Sequence, residues 1–299
     1  MGKLQVLTDS CSDLSKELLE QYGIDYCRMN TVRSEEETPA SLLWEYYTPH
    51  ELYEVMRGGE RVKTTQVPAP EFQSVFTKYL EAGCDIVYVG CSSKQSGSVN
   101  TAQVVAKKLL ESYPEASIYC VDSLNASMGE GMLAIYAAEL ASSGSSAEDV
   151  YHAVMAKRKQ VNQFVTVHSL DALKRAGRVT GSAAFFGNLM GVKPILISDA
   201  DGVQTPIKKA KGRLNSFKDM VKMLGESIVS PQEQTVYIAH ADCSEEELTM
   251  MKSLISASIP CREIVCVYIG PIIGASIGPD AIGIWAFGNE VTYRVSEVK

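Results

Sequence analysis

The sequence predicts an α/β protein built as an N-terminal α/β/α domain with a parallel sheet plus a C-terminal α/β domain with a mixed sheet. Three observations predict it. Apolar runs in the first half each lead through a polar turn into a helical pattern, the rhythm of a doubly wound sheet. A small-residue break at Ser143-Gly144-Ser145 ends that rhythm. Beyond it, strands follow one another directly, and one adjacent pair is joined by Asp199-Ala200-Asp201-Gly202. A length of 299 residues at 45% hydrophobic content supports two cores, placed at 1–160 and 161–299.

In chain order, Leu4 to Thr8, Ile86 to Gly90 and Ile118 to Val121 read as buried strands. The helices run from about Ser15 to Tyr22, Pro70 to Ala82, Val99 to Tyr113 and Met128 to Ser142. Ser146-Ala147-Glu148-Asp149 resembles a capping box that opens a further helix to about Gln160. In the second half, strands are expected at Phe164 to Val167, Ile195 to Ser198, Gln204 to Ile207, Val236 to Ala239 and Ile264 to Tyr268, around two amphipathic helices. Thr31 to Thr48, with its Ser-Glu-Glu-Glu-Thr-Pro run, reads as a surface loop.

Composition removes several function classes. Lys and Arg total 28 against 36 Asp and Glu, a formal net charge of -8, and no basic patch appears, so nucleic acid is not an expected partner. The first apolar stretch is too short for a signal peptide, and no eighteen apolar residues run together; we expect a cytoplasmic protein with no stable membrane insertion. The eight cysteines show no Cys-x-x-Cys and no histidine at ligand spacing, so they read as reduced and mostly packed, with neither a disulfide frame nor a zinc site indicated.

Four hydroxyl-rich or glycine-rich loops follow strands. The first is Thr8-Asp9-Ser10-Cys11-Ser12-Asp13, for which a helix N-cap by Ser10 or Ser12 is the simpler account. The second, Lys63-Thr64-Thr65-Gln66-Val67-Pro68-Ala69-Pro70, leads into a helix; capping explains one threonine but not obviously both. The third, Cys91-Ser92-Ser93-Lys94-Gln95-Ser96-Gly97-Ser98, lies between a strong strand and a helix, where amides and hydroxyls point at a common anion. One lysine and no arginine there suit a carboxylate better than a polyphosphate. The fourth, from Ile269 through Gly274, Ser276 and Gly278 to Asp280, is either a close backbone approach to a ligand or a buried crossover. His240 ends a strand and could face a ligand, although a lone histidine is more often structural. There is no phosphate loop, dinucleotide fingerprint or nucleophile elbow.

Read together, the chain resembles the DegV family of bacterial fatty-acid-binding proteins, which includes the lipid-binding subunits of fatty acid kinase. The supporting segments are Thr8-Asp9-Ser10 with Ser12-Asp13-Leu14, Lys63-Thr64-Thr65-Gln66, Ser92-Ser93 with Ser96-Gly97, Val121-Asp122-Ser123, Leu173 to Arg178, Lys193-Pro194-Ile195, Lys211-Gly212-Arg213 and the terminal Gly-Pro loop. The resemblance implies a long-chain fatty acid as ligand, with its carboxylate hydrogen-bonded by Thr64 and Ser96. Ser10, Thr65, Gly97, Ser98, Gly274 and Ser276 complete the expected head-group loops. No catalytic residue, metal or cofactor is implied, and the bound fatty acid is the ligand. A separate fatty acid kinase is the implied partner, and Arg178 and Arg213 match basic positions that would contact it or the transferred phosphate; ordinary surface ion pairing is the alternative.

Two departures from the family pattern stand out. The family's Gly-x-His-x-Gly-Pro-Gly reads Gly274-Ala275-Ser276-Ile277-Gly278-Pro279-Asp280 here, with Ser276 in place of the histidine, and its Ser-Gly-Thr reads Ser96-Gly97-Ser98. The apolar tail is expected in a tunnel flanked by Phe185, Phe186 and Leu189, although about half of that segment is equally well explained as core. The other readings of the same loops are a serine-dependent hydrolase or acyltransferase acting through Ser96, which lacks an identifiable base, and a phosphosugar-binding module.

Overall fold

A computed structural model describes residues 3–180 and 191–295. The chain forms two units, each discontinuous in sequence: Met1–Tyr46, Val62–Arg158 and Gly270–Ile272 in the first, Tyr47–Arg61, Lys159–Ile269 and Ile273–Lys299 in the second.

The chain opens with β1 (Lys3–Asp9) and α1 (Lys16–Tyr22). Ser15 caps this helix, accepting from the Leu18 amide at 3.4 Å, so neither Ser10 nor Ser12 is a cap. Next come β2 (Asp25–Cys27), β3 (Asn30–Arg33) and β4 (Glu36–Pro39). The stretch expected to be a surface loop therefore contains a hairpin, β3 pairing antiparallel with β4. Its turn residues Ser34 and Glu35 both have positive φ, 47° and 69°, the requirement of a type I′ turn met without the Asn-Gly that normally announces one.

α2 (Pro49–Arg57) starts from a capping box formed by Thr48 and Glu51. β5 (Lys63–Thr65) then pairs with β3, Thr64 opposite Thr31, completing a small sheet of order β4-β3-β5. The first unit continues through α3 (Ala69–Glu81), β6 (Cys84–Gly90), α4 (Ser98–Leu110), β7 (Ile118–Asp122), α5 (Met128–Ser142) and α6 (Ala147–Lys157).

Its main sheet has the order β2-β1-β6-β7 with every pairing parallel. From β1 the next strand of this sheet lies on one side, and from β6 on the other. This arrangement makes the space beyond the C-terminal ends of β1 and β6 the switch point, where ligands of such sheets bind. α5 is buried on almost every side, and its apolar surface fits a helix enclosed by core.

The second unit contains α2 together with β8 (Val161–Thr166), α7 (Asp171–Ala176), β9 (Val192–Ser198), β10 (Gln204–Lys211), α8 (Arg213–Ser227), β11 (Thr235–His240), α9 (Glu245–Ser258), β12 (Glu263–Tyr268), α10 (Pro271–Ile277), whose first two residues count with the first unit, and β13 (Ile282–Phe287). Its six-stranded sheet runs β10-β9-β8-β13-β11-β12, parallel only between β11 and β12. Phe217, Met220 and Leu224 of α8 and Met251 and Ile255 of α9 pack on Ile195, Ile238 and Ile284 as one core. β13 was not anticipated, although it sits centrally between β8 and β11. The Ile282–Trp285 part of this strand is buried on both faces, so it lacks the alternation that marks a half-buried strand, and Gly283 interrupts its apolar run. Among the described residues, no helix is long and apolar enough to cross a membrane.

Candidate functional site

The loop between β6 and α4 is folded on itself before the helix begins. The Gln95 and Ser96 amides both donate to Ser92 O, at 2.9 and 3.0 Å. Asp122, at the end of β7, fixes the near side by accepting from the Ser93 hydroxyl at 2.5 Å and from the Ser93 amide at 3.1 Å. Gly97 is the N-cap of α4 and offers no side-chain oxygen, so the first amides of that helix lack an intrahelical acceptor.

Three bonds determine which way Ser96 donates. The Val67 amide donates to Ser98 Oγ at 3.1 Å, Ser98 Oγ lies 2.9 Å from Ser96 Oγ, and the Ser98 amide donates to Ser96 Oγ at 3.3 Å. Ser98 is fully buried, and Ser96 Oγ is the acceptor within its reach, so the Ser98 proton points to Ser96. With Ser98 as donor, Ser96 Oγ accepts twice and its own proton is left for another acceptor. The chain of donors polarises Ser96 for an anion.

The Thr64 loop is clipped to this one. Besides the Val67 bond, Gln66 Nε2 donates to Thr101 Oγ1 on α4 at 2.8 Å. A Cβ at Gly97 would collide with Gln66 Oε1 and displace that side chain from its place beside α4. Thr64 and Thr65 point to opposite faces of β5. Thr65 donates to Glu37 Oε1 at 3.2 Å, whereas the half-buried Thr64 hydroxyl has no partner among the described residues. Neither threonine caps α3, whose N-cap is Pro68.

Ser10 is placed differently. It is fully buried, its hydroxyl donates to Ala40 O at 2.8 Å and accepts from the Met29 amide at 3.1 Å, and its single proton is thereby committed to the backbone. Asp13 ends the same loop, accepting from Ser127 Oγ at 2.5 Å and from the Gly270 amide at 2.8 Å; burial pushes its carboxyl up to about 7.

In the second unit, the fourth loop is the short helix α10 rather than a crossover. Gly274 packs against Tyr53, whose hydroxyl would stand 2.5 Å from an added Cβ and donates to Ile269 O at 2.6 Å. Ser276 is half-buried, and its hydroxyl has no partner among the described residues. Asp280, where the family pattern has its last glycine, adopts a left-handed φ of 61° and is held by Arg57 at 2.5 Å. Arg213 grips Glu247 through Nε at 2.7 Å and Nη2 at 3.2 Å, and Nη2 also donates to Asp280 O at 2.6 Å. Arg178 is exposed and donates to Ala176 O. Phe185, Phe186 and Leu189 lie outside the described residues.

His240 is structural. It is 5% exposed, its Nδ1 accepts from the Cys243 amide at 3.3 Å, and its ring packs on Tyr268 with centroids 4.4 Å apart. Burial pulls its pKa down to about 4. An unfolded chain takes up this proton between about pH 6.5 and 4 while the folded chain does not, so the neutral imidazole stabilises fully above that window and its contribution is lost as pH falls through it. Wild type is therefore expected to lose roughly 2 to 3 kcal/mol more than His240→Asn between pH 7 and pH 4. Urea titrations at the two pH values measure this, and parallel losses in both proteins would refute it.

A parallel-sheet unit with polar loops at its switch point and a mixed-sheet unit define a two-unit α/β protein. A family model described as "uncharacterised protein, DegV family" matches residues 3–289, and the chain belongs to the DegV family. It is 34% identical to a DegV domain-containing protein of Clostridium perfringens, over 97% of this chain and 99% of the relative, and 29% identical to protein DegV of Bacillus subtilis, over 95% and 99%. Among solved structures it is similar to a fatty-acid-binding DegV family protein of Thermus thermophilus, at TM-score 0.85 and 25% identity over 96% and 100% of the two chains. It is also similar to DegV of Bacillus subtilis, a fatty acid binding protein, at TM-score 0.83 and 28% identity over 96% and 100%. A stearic-acid-binding protein of Eubacterium ventriosum matches at TM-score 0.82 and 26% identity over 95% and 98%.

Proposed function

We propose that this chain binds one long-chain fatty acid, with Thr64 and Ser96 donating to its carboxylate and the acyl chain in an apolar tunnel. The observation that carries this reading is the linked set of the Val67 amide, the Ser98 hydroxyl and the Ser96 hydroxyl, on a loop clipped to that of Thr64, whose hydroxyl has no partner among the described residues. Neutral donors suit a carboxylate because they leave no buried countercharge when the ligand departs. The fatty acids bound by the similar structures support the same ligand class.

Strand alternation supplies a sharp test. Thr64→Val is expected to weaken fatty acid binding by roughly tenfold to a hundredfold, the equivalent of one hydrogen bond to a charged group, whereas Thr65→Val should stay within about twofold. Fluorescent fatty acid titration of the two variants measures the contrast. Equal losses would mean that β5 is merely perturbed.

We assign no catalytic role to the chain. Ser96 Oγ is bonded, among the described residues, to the hydroxyl and amide of Ser98, and neither is a base. We propose a cytoplasmic carrier that needs no cofactor and presents its carboxylate to a separate fatty acid kinase. Arg178 and Arg213 are the candidate partner contacts; Arg178 is exposed, and Arg213 is engaged with Glu247 and Asp280. Ser276 cannot take up a positive charge beside a developing acyl phosphate as a histidine would. With ATP and a cognate kinase, Ser276→His is therefore expected to raise acyl phosphate formation about tenfold or more over wild type. Equal rates would show that the histidine is dispensable.

A further inference from the structure

Behind the carboxylate loops, the switch point of the parallel sheet holds a second group of side chains that the fatty acid reading does not use. Cys11 stands on the loop after β1, Cys91 directly follows β6, and Glu130 lies on the first turn of α5. They are 3%, 2% and 0% exposed, and the two Sγ atoms and a carboxylate oxygen all lie within 4.8 Å of one another.

Glu130 Oε1 accepts from Thr8 Oγ1 at 2.8 Å, while the wholly buried Oε2 accepts no hydrogen bond among the described residues and the Glu130 carboxyl is close enough to Asp9 to share a proton with it. An orphaned buried carboxyl oxygen is costly unless something outside the hydrogen-bond inventory satisfies it. Asp9, fully buried alongside, accepts from the Cys11 amide at 2.9 Å, the Cys91 amide at 3.2 Å and Tyr88 OH at 2.6 Å. It thus fixes the backbone of both cysteines, as an outer carboxylate does behind metal ligands. Met29 Sδ lies 3.5 Å from Cys11 Sγ and adds a soft neighbour.

We propose that Cys11 Sγ, Cys91 Sγ and the Glu130 carboxylate form a binding site for a thiophilic divalent cation of the zinc class. Two thiolates and one carboxylate are a borderline-soft donor set that fits zinc and excludes magnesium and calcium, which take oxygen ligands. A thiol or carboxyl must give up its proton to ligate a cation, so binding is expected to weaken as pH falls. The cation would tie the loop after β1, the start of the Ser96 loop and α5 to one point. Local spacing gives no hint of this site, because the three ligands come from separate parts of the chain.

The proposal stands apart from the fatty acid reading and is tested on the full chain stripped of metal by chelator. Cadmium serves as the spectroscopic probe and zinc as the competitor. We expect one equivalent of cadmium with a thiolate-to-metal charge-transfer band, displaced by zinc, and a thermal midpoint raised by zinc. Cys91→Ser and Glu130→Gln should each lose at least about tenfold in affinity. Should either variant fail to fold, the wild-type stoichiometry decides alone. Absence of the charge-transfer band in folded wild type would overturn the proposal, as would a Cys11–Cys91 disulfide seen as a two-mass-unit deficit before reduction.

Discussion

Shortening the fatty acid from sixteen carbons to ten is expected to weaken binding by roughly three to four orders of magnitude, because six methylenes at ~0.8 kcal/mol each amount to about 5 kcal/mol. No single head-group contact approaches that. A tail of about fifteen carbons offers roughly 12 kcal/mol before the cost of association, while each hydrogen bond to the carboxylate contributes ~1.5 to 3 kcal/mol. The tail therefore sets affinity and the hydroxyls set orientation. A series of saturated acids titrated against delipidated protein measures the slope. A flat series would place the ligand's apolar part in solvent and remove the case for a tunnel.

Replacing both head-group donors together is expected to have the next largest effect. Thr64→Val with Ser96→Ala should cost roughly a hundredfold to several thousandfold in affinity, the upper end reached if the two losses add. The fold should persist, since Thr64 caps no helix, Ser96 gives α4 only one 3.3 Å acceptor for the Ser98 amide, and the clip between the loops runs through Gln66, Val67, Ser98 and Thr101. Ser98→Ala makes a useful companion: it removes the relay and the Val67 clip at once, whereas Ser98→Thr preserves the hydroxyl and should preserve binding. Loss of thermal stability in the double variant with no change in affinity would mean that the two hydroxyls are structural.

The parts of this molecule that were legible in sequence share a physical cause. β1, β6 and β7 are buried parallel strands, so each is a short apolar run followed by a turn and a helix, and their positions were read to within a few residues. The β3–β4 hairpin was missed because Ser34 and Glu35 adopt positive φ without the residues that usually do so, and its strands are largely exposed. β13 was missed because a central strand buried on both faces shows no period. The compact units exchange 47–61 and 270–272, which no composition change marks.

The site divides in the same way. Thr64 and Ser96 are singled out in the sequence by the resemblance to the family's carboxylate-binding motifs, and among the described residues one hydroxyl has no partner and the other is bonded to Ser98. What distinguishes Thr64 from Thr65 is the face of a three-residue strand pairing with β3, which was itself unread. That Ser10 braces Ala40 and Met29 depends on contacts nineteen or more positions away. The bond from Val67 to Ser98 spans 31 positions, and nothing in either local sequence announces it.

The central claim, that a fatty acid is the resident ligand and these two hydroxyls hold it, is tested most directly by organic extraction of the purified protein followed by quantitative mass spectrometry. Wild type is expected to release about one long-chain fatty acid per chain, and the folded Thr64→Val, Ser96→Ala double variant to release far less from the same host. Folded wild type that yields no fatty acid, and takes none up when supplied with one, would contradict the account.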